Sequence, residues 1–278
     1  MWWKNSIGRG PIGLIAGQGE FPVLFAKAAL SLKRPVVAFG VEGYADKRIE
    51  DFASETNYVG LGELGRLVDL LKQKKIKNIV FAGGVPKKQI YDPSFKPDST
   101  AQSFIRSTHN KGDDHILRAF GFFLKTRCGV SVIDSRSILK ESLAPKGVLT
   151  RRVPDLQEWE DLRFGWKAAK AIGKMDIGQT VVVKDGVVLA VEAIEGTDQA
   201  IRRGNELGQG KAVVVKVSKP NQDLRFDLPC VGLETLETLR QGGSHVLGIE
   251  AGKTILISPE KLIGAANHHN LCLVGLKW

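Results

Sequence analysis

A chain of 278 residues has room for one large or two ordinary domains, and an apolar fraction of 43% is that of a soluble globular protein with a sizeable core. Cys128, Cys230 and Cys272 are odd in number and scattered, so they form neither a disulfide framework nor a metal spacing, and no run approaches the ~18 uncharged apolar residues of a membrane span. The net charge of +10 calls for an anionic counterpart: nucleic acid, a membrane face or a phosphorylated ligand. Nucleic acid is disfavoured, because the aromatics are few and not interleaved with the basic residues as a stacking platform requires.

Met1–Gly10 is a short polar-aromatic lead with no apolar run behind it to serve as a signal peptide, so a cytoplasmic protein with reduced thiols is expected. Pro11-Ile-Gly-Leu-Ile-Ala16 predicts a strand, Gly17-Gln-Gly-Glu-Phe-Pro22 a glycine turn and Val23–Leu30 a helix, with Pro22 suited to its first turn. Such a turn can offer backbone N–H groups and a helix N-terminus to phosphate. It departs from the dinucleotide fingerprint, since Pro22 stands where the third glycine is wanted. A tight turn without a ligand is the alternative.

Pro35–Gly40 reads as a second strand, Leu64–Lys72 as a helix, and Asn78–Ala82 as a third strand closing on Gly83-Gly84. This alternation predicts parallel βαβ units whose glycine turns lie at strand C-terminal ends, where ligands of such sheets bind. Tyr91–Thr100 is polar and carries two prolines, a surface loop. Lys111-Gly-Asp-Asp-His115 precedes a helical Ile116–Leu124; Asp113 or Asp114 suits an N-cap, with a metal or ribose ligand as second choice. Val130–Ile133 reads as the unit's last strand. A Pro/Gly stretch near Leu143–Thr150 marks a boundary, giving domains at 1–142 and 153–278 joined by a linker at 143–152.

In the second half, Asp155–Lys174 is an amphipathic helix, and Thr180–Val191 is two β-branched runs about Asp185-Gly186, a hairpin signal. The second run leads into Glu192-Ala-Ile-Glu-Gly-Thr-Asp198 and a helix from Gln199. Thr197 or Asp198 could cap that helix, yet three carboxylates in seven residues exceed what a cap needs. Ala212–Val217 is a strand. His245–Ile249, Thr254–Ile257 and Leu271–Val274 are short strands, and Pro259 opens a helix ending near His268-His269. The predicted fold class is α/β, with an N-terminal Rossmann-like parallel-sheet domain and a C-terminal mixed α/β domain.

Between strands lies Lys216-Val-Ser-Lys-Pro-Asn-Gln-Asp-Leu-Arg-Phe-Asp-Leu-Pro229. Lys216, Lys219 and Arg225 complement phosphate, while Asp223 and Asp227 suit a hard cation such as Mg²⁺. The alternative is a solvated loop whose charges pair with one another.

Ile12–Pro22, Phe81-Ala-Gly-Gly-Val85, Lys111-Gly-Asp-Asp114, Asp176-Ile-Gly-Gln179, Val191–Asp198 and Lys219-Pro…Arg225-Phe-Asp-Leu-Pro229 run in order over nearly the whole chain. Together they resemble the LpxI-type UDP-2,3-diacylglucosamine pyrophosphatases of lipid A synthesis. The resemblance implies Mg²⁺-dependent hydrolysis of UDP-2,3-diacylglucosamine to UMP and 2,3-diacylglucosamine 1-phosphate, with lipid held between two domains. It points to Asp227 first, then Glu195, Asp198 and Arg225, as catalytic groups, and to Asp227, Asp223 and Glu192 as metal ligands. Substrate contacts are expected from Gly17, Gln18, Gly19, Gly83, Gly84, Lys111, Gly112, Asp113, Thr197 and Lys219. Expected partners are the lipid nucleotide-sugar and, peripherally, the inner membrane surface, with a homodimer left open. The competing readings are a nucleotide-sugar oxidoreductase or transferase, and a non-catalytic basic module for nucleic acid or anionic lipid.

Overall fold

The computed structural model describes residues 10–85, 95–108 and 113–278. The chain forms two compact units: residues up to Leu139 together with Asp223–Asp227, and Lys140–Gln222 together with Leu228–Trp278.

The first unit is built on a five-stranded parallel sheet of β1 (Ile12–Ala16), β2 (Val36–Val41), β3 (Glu55–Val59), β4 (Asn78–Ala82) and β5 (Ser131–Val132), in the order β3-β2-β1-β4-β5. β1 lies at the centre, with Ile12 opposite both Val36 and Asn78. Its continuous apolar run is what a strand covered on both faces requires, and Ile12, Leu14 and Ala16 are fully buried. Helices α1 (Phe21–Ser31), α2 (Leu64–Gln73), α3 (Ser99–Thr108) and α4 (Asp113–Cys128) complete the unit. Two of its elements lie outside the sequence expectation. β3 (Glu-Thr-Asn-Tyr-Val) is an edge strand, half-buried along most of its length, so it carries no apolar run. α3 begins where a surface loop was expected: Asp98 accepts hydrogen bonds from the N–H of Ala101 (2.7 Å) and of Gly65 (2.8 Å), capping one helix and tying it to the next. The part of that loop at 91–94 lies outside the described residues.

The second unit has a six-stranded mixed sheet. Its strands are β6 (Gly147–Val148), β7 (Thr180–Lys184), β8 (Val187–Val191), β9 (Val213–Lys216), β11 (Val246–Glu250) and β13 (Cys272–Leu276), ordered β6-β13-β11-β9-β7-β8. A separate parallel pair joins β10 (Cys230–Val231) to β12 (Ile255–Leu256). Alternation along β7 divides two cores. Val181 and Val183 pack with Leu162 and Ala169 of α5 (Leu156–Lys174). Val182 packs with the core that holds Ile201 of α6 (Thr197–Gly208), Leu236 of α7 (Leu233–Gly242) and Leu262 of α8 (Pro259–His268). The hairpin at Asp185-Gly186 turns through two positive φ angles, 51° and 74°, and buried Asp161 of α5 accepts both N–H groups, at 3.0 and 2.7 Å.

Residues 143–152, expected as a linker, are knitted into this unit. Leu143 bridges to Ile255, Ala144 N–H donates to Thr254 O (2.9 Å), and β6 pairs antiparallel with β13.

Candidate active site

The glycine turns after β1 and β4 meet at the point where the strand order of the first sheet reverses, the ligand crevice of open parallel sheets. Here they first satisfy each other. Gln18 N–H donates to Gly84 O (2.8 Å) and Gly17 N–H to Ala82 O (2.9 Å). A Cβ on Gly17 would collide with the Gly84 carbonyl, and one on Gly83, at φ 76°, with the Gln18 carbonyl. Close backbone approach thus accounts for these two glycines, whereas Gly19 (φ 90°) and Gly84 have open space around them. Lys111 and Gly112 lie outside the described residues, as does the side chain of Asp113.

In the second unit, Glu192 follows β8 and is 8% exposed. Its carboxylate accepts from the Thr197 hydroxyl (2.8 Å) and from Gln179 N–H (3.3 Å). A Cβ on Gly178 would collide with the Glu192 carbonyl, so this approach depends on glycine. Neither Thr197 nor Asp198 caps α6; the N-cap is Gly196 at φ 85°, and the Thr197 hydroxyl is turned to Glu192 instead. Asp198 lies in the first helical turn, and its Oδ1 is buried with no hydrogen-bond partner among the described residues. Gln179 Oε1 and Thr180 Oγ1, at the start of β7, are unpartnered in the same sense. Buried oxygens without a partner are unusual in a folded interior, and these three lie in the two segments, Gln179–Thr180 and Thr197–Asp198, that flank Glu192 in its hydrogen bonding. Glu195 is bound to Arg203 (2.6 Å) and to Ala193 N–H (3.1 Å). Its own backbone N–H and Arg203 hold its carboxyl below the ordinary range, so it carries a standing charge and is a weak base.

The charged loop after β9 does not behave as one surface. Lys216 is buried and its Nζ donates to Cys230 O (3.1 Å), so it ties the two ends of the loop together and does not face solvent as a phosphate ligand would. Lys219 pairs with Asp176 (2.6 Å), and its N–H donates to Gln222 Oε1 (3.0 Å). Asp223–Asp227 belongs to the first unit. Arg225 grips Asp223 through Nε (2.9 Å) and Nη2 (2.6 Å), and this hydrogen bonding keeps the Asp223 carboxyl low, with Arg118 adding to the effect. Phe226 is buried against Phe81 of β4, ring centroids 5.6 Å apart. Asp227 is exposed, its N–H directed to Asp223 O (3.4 Å). The structure therefore brings Glu192, Thr197 and Gln179 together, and separately Asp223 with Arg225. Sequence reasoning missed Gln179 and Thr180 as site candidates; the Asp176-Ile-Gly-Gln179 motif was the signal that could have found them.

The LpxI N-terminal domain model matches residues 11–142, and the LpxI C-terminal domain model matches residues 145–274. The chain is 31% identical to the UDP-2,3-diacylglucosamine pyrophosphatase LpxI of Caulobacter vibrioides, over 95% of this chain and 97% of that protein. The chain belongs to the LpxI family. A partial likeness reaches the bifunctional purine biosynthesis protein PurH of Aquifex aeolicus, 26% identical over 61% of this chain but only 32% of that one. The LpxI match spans both units, including the Glu192–Asp198 turn and the loop from Lys216 to Pro229.

Proposed function

We propose that this chain hydrolyses the pyrophosphate bond of UDP-2,3-diacylglucosamine. Water adds to one phosphorus, the bridging P–O bond breaks, and UMP and 2,3-diacylglucosamine 1-phosphate (lipid X) leave. The observation that carries this reading is the likeness to the Caulobacter LpxI over 95% of the chain. The geometry supports it through cations suited to phosphate, Lys219 and Arg225, and through hard oxygen donors in the Glu192 cluster.

That cluster fits Mg²⁺. Asp198 Oδ1 and Gln179 Oε1 are buried oxygens without a partner among the described residues, and the Glu192 carboxylate is held by their neighbours, the Gln179 N–H and the Thr197 hydroxyl. Among the described residues no group of three or more His, Cys, Asp or Glu side chains encloses a metal. A cation here would complete its shell with water and substrate phosphate, the usual habit of Mg²⁺. Glu192 and Asp198 would hold it, and when bound it would neutralise phosphate oxygens and acidify a water. Asp223 is already engaged by Arg225, so its role is to orient that guanidinium. Asp227, exposed and in the Arg-x-Asp-Leu-Pro motif, is the first candidate to accept a proton from water. Glu195, held ionised, contributes charge. Thr197 would contact the polar part of the substrate. We also place the protein in the cytoplasm, at the inner membrane face, where its positive charge would favour anionic lipid.

The deciding assay follows UMP release from UDP-2,3-diacylglucosamine. Turnover in Mg²⁺ that EDTA abolishes and added Mg²⁺ restores is expected. EDTA-resistant turnover would overturn the metal assignment, and absence of UMP the reaction itself.

A further inference from the structure

Glu250, the last residue of β11, is 5% exposed although charged. Its Oε2 accepts from Ser218 N–H (2.8 Å), the Ser218 hydroxyl (2.7 Å) and Lys170 Nζ (2.6 Å), while Oε1 meets Lys253 Nζ (2.9 Å). Lys170, on α5, also donates to Ser218 O (2.9 Å) and lies 4.9 Å from the Trp166 ring centre. The N–H, C=O and hydroxyl of one residue are thus all held by one ion pair, of buried Glu250 with partly buried Lys170. Ser218 is the residue just before Lys219, where the loop leaves the sheet.

Burying such a pair is seldom the cheapest way to stabilise a fold, because desolvation offsets the attraction and apolar replacements are often neutral. What the pair supplies is a fixed place for the Ser218 backbone. Burial would raise the Glu250 carboxyl, but Lys170, Lys253 and Ser218 together hold it below its ordinary value, so Glu250 is charged near neutrality, while burial lowers the Lys170 ammonium against the pull of Glu250. Lys216, bound to Cys230 O, closes the loop from its other end.

We infer that Lys170 and Glu250 are positioning residues that set Lys219 for the substrate's phosphate. This rests on reading Lys219 as a phosphate contact. Among the described residues the Lys219 ammonium holds a partly exposed partner, Asp176, and no anchor as buried as the Ser218 clamp. Its reach is therefore governed by where Ser218 is held. The reacting groups are elsewhere, so losing the clamp should weaken binding more than it slows the chemical step.

The test uses the full chain carrying K170M/E250Q, which removes both charges together and leaves one acceptor for Ser218, and a second, milder variant, Ser218→Ala. Melting temperature, amide exchange across 218–229 and steady-state kinetics of UMP release are measured. Expected for the double variant are a melting temperature near wild type, loop exchange faster by about tenfold, and KM raised about tenfold with kcat within about twofold, the scale of one charge-assisted hydrogen bond. Ser218→Ala should move exchange and KM the same way by less, and it decides the matter if the double variant does not fold. Wild-type exchange and KM in a folded variant would overturn the inference, as would faster exchange with unchanged KM. A wild type that releases no UMP would instead refute the proposed reaction, while exchange would still report on the clamp.

Discussion

Asp198 shows how a single residue can be kept at a cost to the fold. A buried carboxylate oxygen without a donor forfeits roughly 1–3 kcal/mol that a hydrogen bond would recover. Replacing Asp198 with Asn removes the charge at nearly constant shape. If the carboxylate is there for a cation and phosphate, Asp198→Asn should lower kcat by about 10²-fold, the scale of losing one electrostatic contact to the reacting groups. Its melting temperature should be equal to or above that of wild type. A structural role predicts the reverse, with a lower melting temperature and near-normal turnover, so calorimetry and a UMP assay on the same preparation separate the two. The density of acids from Glu192 to Asp198 was legible in the sequence. That Thr197 turns to Glu192, and that Gln179 joins it from the bend before β7, was not, because the contact depends on Gly178 admitting the Glu192 backbone.

Elements were legible where burial writes a pattern. β1, β2, β4, β7 and β9 are apolar runs closed by glycine or a charged loop, and each was anticipated. β3 and α7 were not: β3 is a half-polar edge, and the Leu-Glu-Thr-Leu-Glu-Thr-Leu run of α7 lay between two clearer signals. Length also hides structure, since β6 and β10 have two residues each and exist through their partner strands. Gly121 on α4 illustrates competition between local and tertiary preference. Alanine would suit the helix better by about 1 kcal/mol. Its Cβ, however, would stand 2.7 Å from the Phe226 ring and 3.1 Å from Val132. Phe226 is already stacked on Phe81, so the ring has little room to yield. Overpacking of this kind costs about 1–3 kcal/mol. Gly121→Ala should therefore lower stability by about 1 kcal/mol net in a denaturant titration, and Phe226→Leu should recover part of it in the double variant. A stabilised Gly121→Ala would show that the ring moves freely.

At the scale of the whole molecule, sequence order and compact units do not coincide. The LpxI C-terminal domain model runs unbroken from 145 to 274, yet Asp223–Asp227 is part of the first unit. Periodicity could not reveal this, because it reports which face of an element is apolar and not which core receives an isolated apolar residue. Phe226 is such a residue, one ring between two charges. A fragment beginning at Lys140 retains every strand from β6 to β13, the Lys170–Glu250 pair and the Glu192 cluster. It lacks Phe81, Gly121 and Arg118, the groups against which Phe226 packs and Asp223 is held. Freed of them, the segment should behave as an exposed loop, which proteases cut readily. Limited trypsin digestion should cleave the fragment after Arg225 well before any bond within the sheet, while the full chain resists there under the same conditions. Lys219 offers no competing site nearby, since Pro220 follows it. The fragment should also release no UMP, although Lys219, Glu192 and Asp198 are all present in it. Equal resistance at Arg225 in the two proteins would mean that the segment is ordered by the second unit alone, and the assignment of Asp227 to the reaction would then have to be argued without Phe226 as its anchor.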